Sequence, residues 1–69
     1  MDEVSRRILQ AVVEEPGLTI HQLVQQTGED LGRTRSRCHR LRDRGLVEQR
    51  PHGYFLVFHP TEQGRGEVE

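Results

Sequence analysis

The first half of the chain carries apolar residues at three- and four-residue spacings, the period of an amphipathic helix. The first run ends before Pro16-Gly17, because a residue that precedes proline disfavours helix and glycine permits a turn. A second run follows Thr19, which has Gln22 three residues on in the form of a capping box, and Gly28 suits its C-terminus. The apolar positions of the two runs are Val4, Ile8, Leu9, Val12 and Val13, then Ile20, Leu23 and Val24.

A third helix is predicted from about residue 31 to residue 44. Asp30 is suited to the N-cap and Gly45 to the termination of this helix. At about 100° per residue, one narrow stripe faces the core. It consists of Leu31, Thr34, Cys38 and Leu41. Because Cys38 lies in this stripe, we expect a buried structural thiol rather than a reactive one.

Beyond Gly45 the apolar period changes from about 3.6 to 2, which predicts β-strands. Leu46-Val47 opens a first strand, and Pro51-His52-Gly53 supplies a turn. Residues 54–58 form a second strand that is apolar on both faces, and Pro60 ends the hairpin. One face of this second strand is expected to pack on the helices. The other is either an aggregation-prone edge or a dimer contact, of which we favour the contact.

The order of helix, helix, helix, strand and strand predicts an α+β fold. It is the order of a winged helix-turn-helix, in which three helices precede a two-stranded β-hairpin wing. We expect this domain to occupy residues 1–60, since a chain of 69 residues has room for one small domain only. Residues 61–69 are polar and contain two glycines, so they are predicted to form a flexible C-terminal tail.

Charge divides the chain into three segments. Residues 1–30 carry a formal net charge of -4, residues 31–50 carry +5 and residues 51–69 carry -2, for a total of -1. Six of the twelve residues in 33–44 are arginine, so the positive charge is concentrated on the third predicted helix. This polarised distribution favours a polyanionic partner for that helix.

The helical wheel separates these six arginines into two groups. Arg35 and Arg42 adjoin the core face, and we expect them to pair with acidic residues of the first two helices. The other four point away from the core, have Ser36 beside them, and are assigned to DNA because phosphates and guanine edges both accept hydrogen bonds from arginine. They are Arg33, Arg37, Arg40 and Arg44.

Position along the helix suggests a role for each residue, because a recognition helix enters the major groove by its N-terminal half. Base-edge contacts are expected from Gly32, Arg33, Ser36 and Arg37. Arg40 and Arg44 are better placed for phosphates. Further contacts with the DNA backbone or the minor groove are expected from the start of the second helix and from the wing tip at residues 50–54. These residues are Thr19, Gln22, Arg50 and His52.

Two stretches also resemble known families of DNA-binding regulators. "RLRDRGLVEQR" is similar to the end of the recognition helix and the first wing strand in the leucine-responsive regulator and multiple-antibiotic-resistance regulator families. "FHPTEQGR" resembles the stretch that follows the wing in the second family. The resemblance covers about residues 4–65 and implies a winged helix-turn-helix that binds duplex DNA. These 69 residues include neither the sensing domain of the first family nor the long dimerisation helices of the second, so it implies no small-molecule effector.

Other function classes find less support in the sequence. There is no nucleophile beside a placed base, no set of paired carboxylates and no phosphate-cradling glycine loop, so an enzyme is not expected. The four histidines and the single cysteine lack metal-ligand spacing, so no metal or cofactor is expected. No apolar run approaches a membrane span and the first residues do not resemble a signal peptide. We therefore expect a soluble, cytoplasmic protein.

These observations favour sequence-specific binding of double-stranded DNA by a small transcriptional regulator. A homodimer is expected, because hydrophobic residues make up only 32% of the chain and the core must be thin. One alternative is a winged-helix module that docks an acidic protein or a second copy through the apolar strand 54–58. The acidic flanks of the basic segment favour this alternative, because they oppose approach to DNA. Single-strand or RNA binding has weaker support, since Tyr54 is the one aromatic residue expected to be free for base stacking.

Overall fold

The computed structural model describes residues 1–68 as four helices and one β-hairpin. The first five elements follow the predicted order, which confirms the α+β architecture of three helices followed by a two-stranded wing. No helix within the described residues is long and apolar enough to cross a membrane. In chain order the elements are α1 (Glu3–Glu14), α2 (Ile20–Thr27), α3 (Leu31–Asp43), β1 (Val47–His52), β2 (Phe55–Pro60) and α4 (Glu62–Glu67).

Side-chain caps set the starts of α2 and α3 as predicted. In the capping box of α2, the Thr19 backbone N–H donates to Gln22 Oε1 at 2.8 Å and the Gln22 N–H donates to Thr19 Oγ1 at 3.2 Å. At the start of α3, Asp30 Oδ1 accepts a hydrogen bond from the Arg33 N–H at 2.7 Å. Gly28 ends α2 in the left-handed conformation with φ of 74°. These caps hold the turn between α2 and α3 to a few residues.

The core lies between the three long helices and the base of the hairpin. From α3 it takes Thr34, Cys38 and Leu41, all buried as predicted, whereas Leu31 is 37% exposed. The prediction that Leu31 belongs to the core was therefore wrong. A helical side chain leans towards the helix N-terminus, so that of the first residue extends past the packed turns. The hydrophobic core comprises Ile8, Leu9, Val12, Leu18, Leu23, Cys38, Leu41, Leu46, Val47 and Phe58.

The hairpin is longer than predicted, and its turn begins two residues later. Antiparallel pairing runs from Val47 opposite Pro60 to His52 opposite Phe55. Pro51 and His52 thus lie in β1, and the turn consists of Gly53-Tyr54. Gly53 has φ of 65°, a conformation that glycine adopts without strain, and this permits a two-residue turn. Proline is tolerated in β1 because each strand of a two-stranded sheet has a free edge.

In β2, the residues near the core are buried and those near the tip are exposed, whichever face of the strand they lie on. Phe58 is buried and its backbone is tied to the loop after α1, donating to the Leu18 carbonyl at 2.8 Å and accepting from the Gly17 N–H at 2.8 Å. Towards the tip, Phe55 and Leu56 are 62% and 56% exposed. The expected division into one packed face and one open face was therefore wrong, because the tip extends beyond the helices.

The chain after β2 forms a helix instead of the predicted flexible tail. Thr61 caps α4, its Oγ1 accepting from the Gly64 N–H at 3.0 Å. Gly64 is buried against Leu46, the residue before β1, and a Cβ at this position would lie 2.0 Å from the carbonyl oxygen of Leu46. The glycine thus allows close packing, so the ordered domain extends past the predicted boundary at residue 60. Glu69 lies outside the described residues.

Candidate nucleic-acid interface

The exposed face of α3 carries its cationic side chains along two edges. The direction opposite the buried stripe passes through Gly32, Ser36 and Asp43, all of which are exposed. On one side of this line lies the α1-side flank, which we define as Arg33, Arg37, Arg40 and Arg44. On the other side lies the wing-side flank, defined as Arg35, His39 and Arg42.

A single carboxylate holds two arginines of the α1-side flank. Asp2 Oδ2 lies 3.0 Å from Arg37 Nε and 3.6 Å from Arg40 Nη1. The other oxygen of Asp2 caps α1 by accepting from the Ser5 N–H at 2.7 Å. This hydrogen bond and the charges of Arg37 and Arg40 hold the pKa of Asp2 below its ordinary value. The Arg37 side chain is only 25% exposed as a result of this packing.

A second carboxylate joins the same flank to α1. Glu29 Oε1 lies 3.4 Å from Arg33 Nη1, and Glu29 Oε2 accepts a hydrogen bond from Arg7 Nη2. Arg7 also donates to the Thr27 carbonyl at 3.2 Å, which fixes its guanidinium at the end of α2. Arg44 makes no ion pair within residues 1–68. Three of the four arginines assigned to DNA therefore already have carboxylate partners.

The wing-side flank has a different set of partners. Arg42 Nη1 donates to Gln49 Oε1 of β1 at 2.9 Å, and Nη2 lies 3.0 Å from His39 Nδ1. Its nearest carboxylate is that of the exposed Asp43, at 3.8 Å. Arg35 makes no ion pair in the described part of the chain. The prediction that Arg35 and Arg42 pair with the acidic first two helices was wrong, because this flank faces the hairpin and the start of α2.

A groove of about 340 Å³ separates the wing-side flank from the hairpin. Its floor includes Cys38, whose burial confirms the predicted place of this thiol in the core and raises its pKa to about 11. Of the described residues, no aspartate or glutamate lines the groove. The polar lining is Thr19, His21, Arg35, His39, Arg42 and Gln49, and the apolar lining includes Ile20, Phe55 and Leu56.

The remaining predicted contact residues lie around this exposed face. The side chains of Thr19 and Gln22 are joined in the capping box, and His52 is exposed at the end of β1. Arg50 is exposed and bonds to Glu48 through Nε at 2.7 Å and also through Nη2.

Gly32 is exposed in the first turn of α3. A Cβ there would meet only Asp30 Oδ1, at 3.5 Å, so packing within the chain does not require a glycine at this position.

Sequence reasoning missed three residues of this surface. His39 follows Arg35 by four residues and precedes Arg42 by three, so the helical spacing alone contained the signal for a wing-side flank. Glu29 precedes Arg33 by four residues, so the sequence also contained the signal for this pair. The position of Asp2 opposite Arg37 and Arg40, however, depends on how α1 crosses α3. A helical wheel carries no information of that kind.

Comparisons with known proteins agree with this architecture. A family model described as winged helix-turn-helix DNA-binding matches residues 1–48. No curated protein sequence matches the chain. Among solved structures, a MarR family protein from Bacillus stearothermophilus aligns with a TM-score of 0.90 and 20% identity, covering 99% of this chain and 49% of that chain.

Two further solved structures show the same fold. FabT from Streptococcus pneumoniae, solved in complex with DNA, has a TM-score of 0.91 and 17% identity over 99% of this chain and 50% of its own. The PcaV transcriptional regulator from Streptomyces coelicolor, solved with its natural ligand, has a TM-score of 0.87 and 25% identity over 93% of this chain and 48% of its own. The chain spans about half the length of these three proteins.

Proposed function

Because the chain belongs to the winged helix-turn-helix DNA-binding family, we propose that it binds double-stranded DNA sequence-specifically and regulates transcription. The observation that carries this proposal is the exposed face of α3, which has Ser36 at its centre and cationic side chains along both edges. Such a face matches the major groove, which has base edges at its floor and a phosphate backbone on each side.

In this proposal α3 enters the major groove by its N-terminal half. Base edges are then contacted from Gly32, Arg33, Ser36 and Arg37, with arginine to guanine as the commonest specific pairing. The groove is about 12 Å wide, so the two flanks of α3 face opposite strands. Arg40 and Arg44 serve one backbone, and the wing-side flank serves the other.

The start of α2 and the wing complete the proposed contact surface. The first-turn N–H groups of α2, beside Thr19 and Gln22, are suited to a phosphate, because helix N-termini attract anions. Arg50 and His52 lie towards the wing tip and are proposed to reach the backbone or the minor groove. FabT, which has the same fold, was solved in complex with DNA, and this supports the general mode of binding.

A homodimer in the cytoplasm is part of the same proposal. Tyr54, Phe55 and Leu56 are exposed at the wing tip, and a small domain rarely leaves such side chains without a use. The same observation favours a second candidate function, a protein-interaction module that docks through the hairpin. The usable apolar surface for either role is the tip at residues 54–56, since Val57 and Phe58 are buried.

A charge placed at the centre of the exposed face tests the proposal. In Ser36→Glu a carboxylate faces the DNA, and we expect affinity for labelled duplex to fall at least about tenfold, because like charges repel across the contact. Gln10→Glu is the matched control, since Gln10 is exposed on α1 and the change in net charge is the same. Fluorescence anisotropy over a range of salt concentrations measures both variants, and circular dichroism verifies the fold.

Equal affinities of the two variants, or salt-insensitive binding by the folded wild type, would contradict the proposal. Chemical-shift changes confined to the hairpin, seen with a protein partner but not with duplex, would establish the interaction module instead.

A further inference from the structure

The N-terminus of α1 meets the C-terminal half of α3 around a second, smaller cavity. This cavity has a volume of about 140 Å³ and is lined by Met1, Asp2, Ser5, Arg40, Leu41 and Arg44. The N-terminus of the 12-residue α1 carries the positive end of its helix dipole, which favours an anion. Two arginines and a helix N-terminus therefore converge on one small space.

Two buried polar atoms beside this cavity make no hydrogen bond within the described residues. One is Ser5 Oγ, on a residue that is 2% exposed and lines the cavity. The other is Arg37 Nε, which lies at ion-pair distance from Asp2 but outside hydrogen-bond geometry. Buried polar atoms in folded proteins usually have a partner, so these two atoms point to an oxyanion ligand.

We propose that this cavity is a binding site for a DNA backbone phosphate, and that Asp2 occupies the site as an internal carboxylate until the phosphate displaces it. The inference rests on the proposed function. A backbone phosphate and a carboxylate each carry one negative charge, so Arg37 and Arg40 exchange one anion for another. Arg44, which has no ion pair within residues 1–68, then supplies donors that the carboxylate does not use.

The competition has a consequence for affinity. Phosphate contacts are made at correct and unrelated sequences alike, whereas base contacts distinguish the correct site. An internal carboxylate that must leave before a phosphate binds therefore weakens binding to every duplex. Asp2 thus lowers the sequence-independent part of the affinity and leaves the ratio between correct and unrelated sites unchanged.

The substitution Asp2→Asn tests this role while retaining the helix cap, because asparagine and aspartate cap helices about equally well. For a duplex of arbitrary sequence, we expect Asp2→Asn to bind about fivefold more tightly than wild type at low salt. The slope of log affinity against log salt should stay the same, because both proteins make the same number of phosphate contacts once Asp2 is displaced. Glu3→Gln is the control, because Glu3 is exposed and forms no ion pair within residues 1–68.

The outcomes separate the inference from the function on which it rests. Absence of duplex binding by the folded wild type would overturn the proposed function itself. Wild-type binding combined with identical affinity for Asp2→Asn and Glu3→Gln would overturn the phosphate site alone.

A second variant tests the site by removing one of the arginines that line the cavity. Arg44→Ala removes a cavity-lining arginine that has no ion pair in the described chain, and we expect weaker binding with a slope about 0.9 shallower. An unchanged slope would likewise overturn the site. In a nitrogen–proton spectrum, inorganic phosphate should shift the Ser5 amide signal of Asp2→Asn more than that of wild type. An equal or absent shift in both proteins would speak against the proposed exchange of anions.

Discussion

The two flanks of α3 differ in what lies opposite their cationic side chains. On the α1-side flank, Asp2 and Glu29 hold three of the four arginines. On the wing-side flank, the described residues that line the groove include no carboxylate, and Arg42 is held by Gln49 and His39. The number of arginines on a helix therefore does not show which of them are available to a ligand. Availability depends on the neighbouring elements.

The ion pairs of the α1-side flank are weak enough to exchange. Pairs between solvent-exposed side chains contribute about 0–1 kcal/mol, because water and salt screen them. The Arg40 and Arg33 side chains are about half exposed, and only Arg37 is substantially covered. In the proposed complex, the phosphates of DNA compete with Asp2 and Glu29 for these arginines, and the lost pairs reduce the net gain in affinity.

The largest difference in duplex affinity is expected between two double variants, each of which removes two arginines from one flank. Arg35→Ala with Arg42→Ala should weaken duplex binding about tenfold at low salt and make the salt slope shallower by about 2. Arg33→Ala with Arg40→Ala should weaken it only about threefold, because the wild-type arginines must first leave their carboxylates. Anisotropy titrations of both double variants measure the two losses. A greater loss of affinity from Arg33→Ala with Arg40→Ala would contradict the inference that the wing-side arginines are more available to a ligand.

A smaller effect is expected from Glu29→Gln. The amide keeps an oxygen acceptor but no longer holds Arg7 and Arg33 by charge, so affinity for duplex should rise about two- to threefold. Glu14→Gln, at the exposed end of α1, changes the net charge equally and serves as the control. If both variants gain the same amount, the gain comes from overall charge and the specific pairing has no role.

The smallest effect is a pH dependence of stability. The pKa of Asp2 is lowered from its ordinary 3.8, first by the hydrogen bond from the Ser5 N–H and then by the charges of Arg37 and Arg40. The ionised carboxylate therefore stabilises the folded state above about pH 4, and this stabilisation is lost as pH falls through the lowered pKa. Wild type should therefore be slightly more stable to urea than Asp2→Asn at pH 7, and the difference should close below pH 4. A difference that stays constant over this range would show that Asp2 is not paired in solution.

Local chemistry made α1, α2 and α3 predictable from the sequence. Thr19 and Asp30 cap helices with hydrogen bonds to residues three positions on, and such signals need no knowledge of tertiary structure. The same holds for the buried stripe of α3, apart from Leu31 at its end. Periodicity and capping thus located the elements that carry the candidate interface.

The arrangement of the arginines could not be predicted in the same way. A helical wheel gives the direction of Arg37 from the axis of α3, but the presence of Asp2 in that direction depends on the crossing of α1 and α3. Gly64 presents a similar problem. In the sequence it suggests flexibility, whereas in the fold it permits a helix to touch the Leu46 carbonyl. Both features arise from distant parts of the chain.

The wing is fixed to the domain at one end and free at the other, so mechanically it is a cantilever. Two backbone hydrogen bonds of 2.8 Å clamp β2 at Phe58, while residues 54–56 project beyond the helices. Bending is therefore concentrated between the clamp and the tip, where little buried surface opposes it. In the proposed complex, the tip therefore follows grooves of different width while α3 stays in register, and this adjustment to the shape of the duplex costs the core almost nothing.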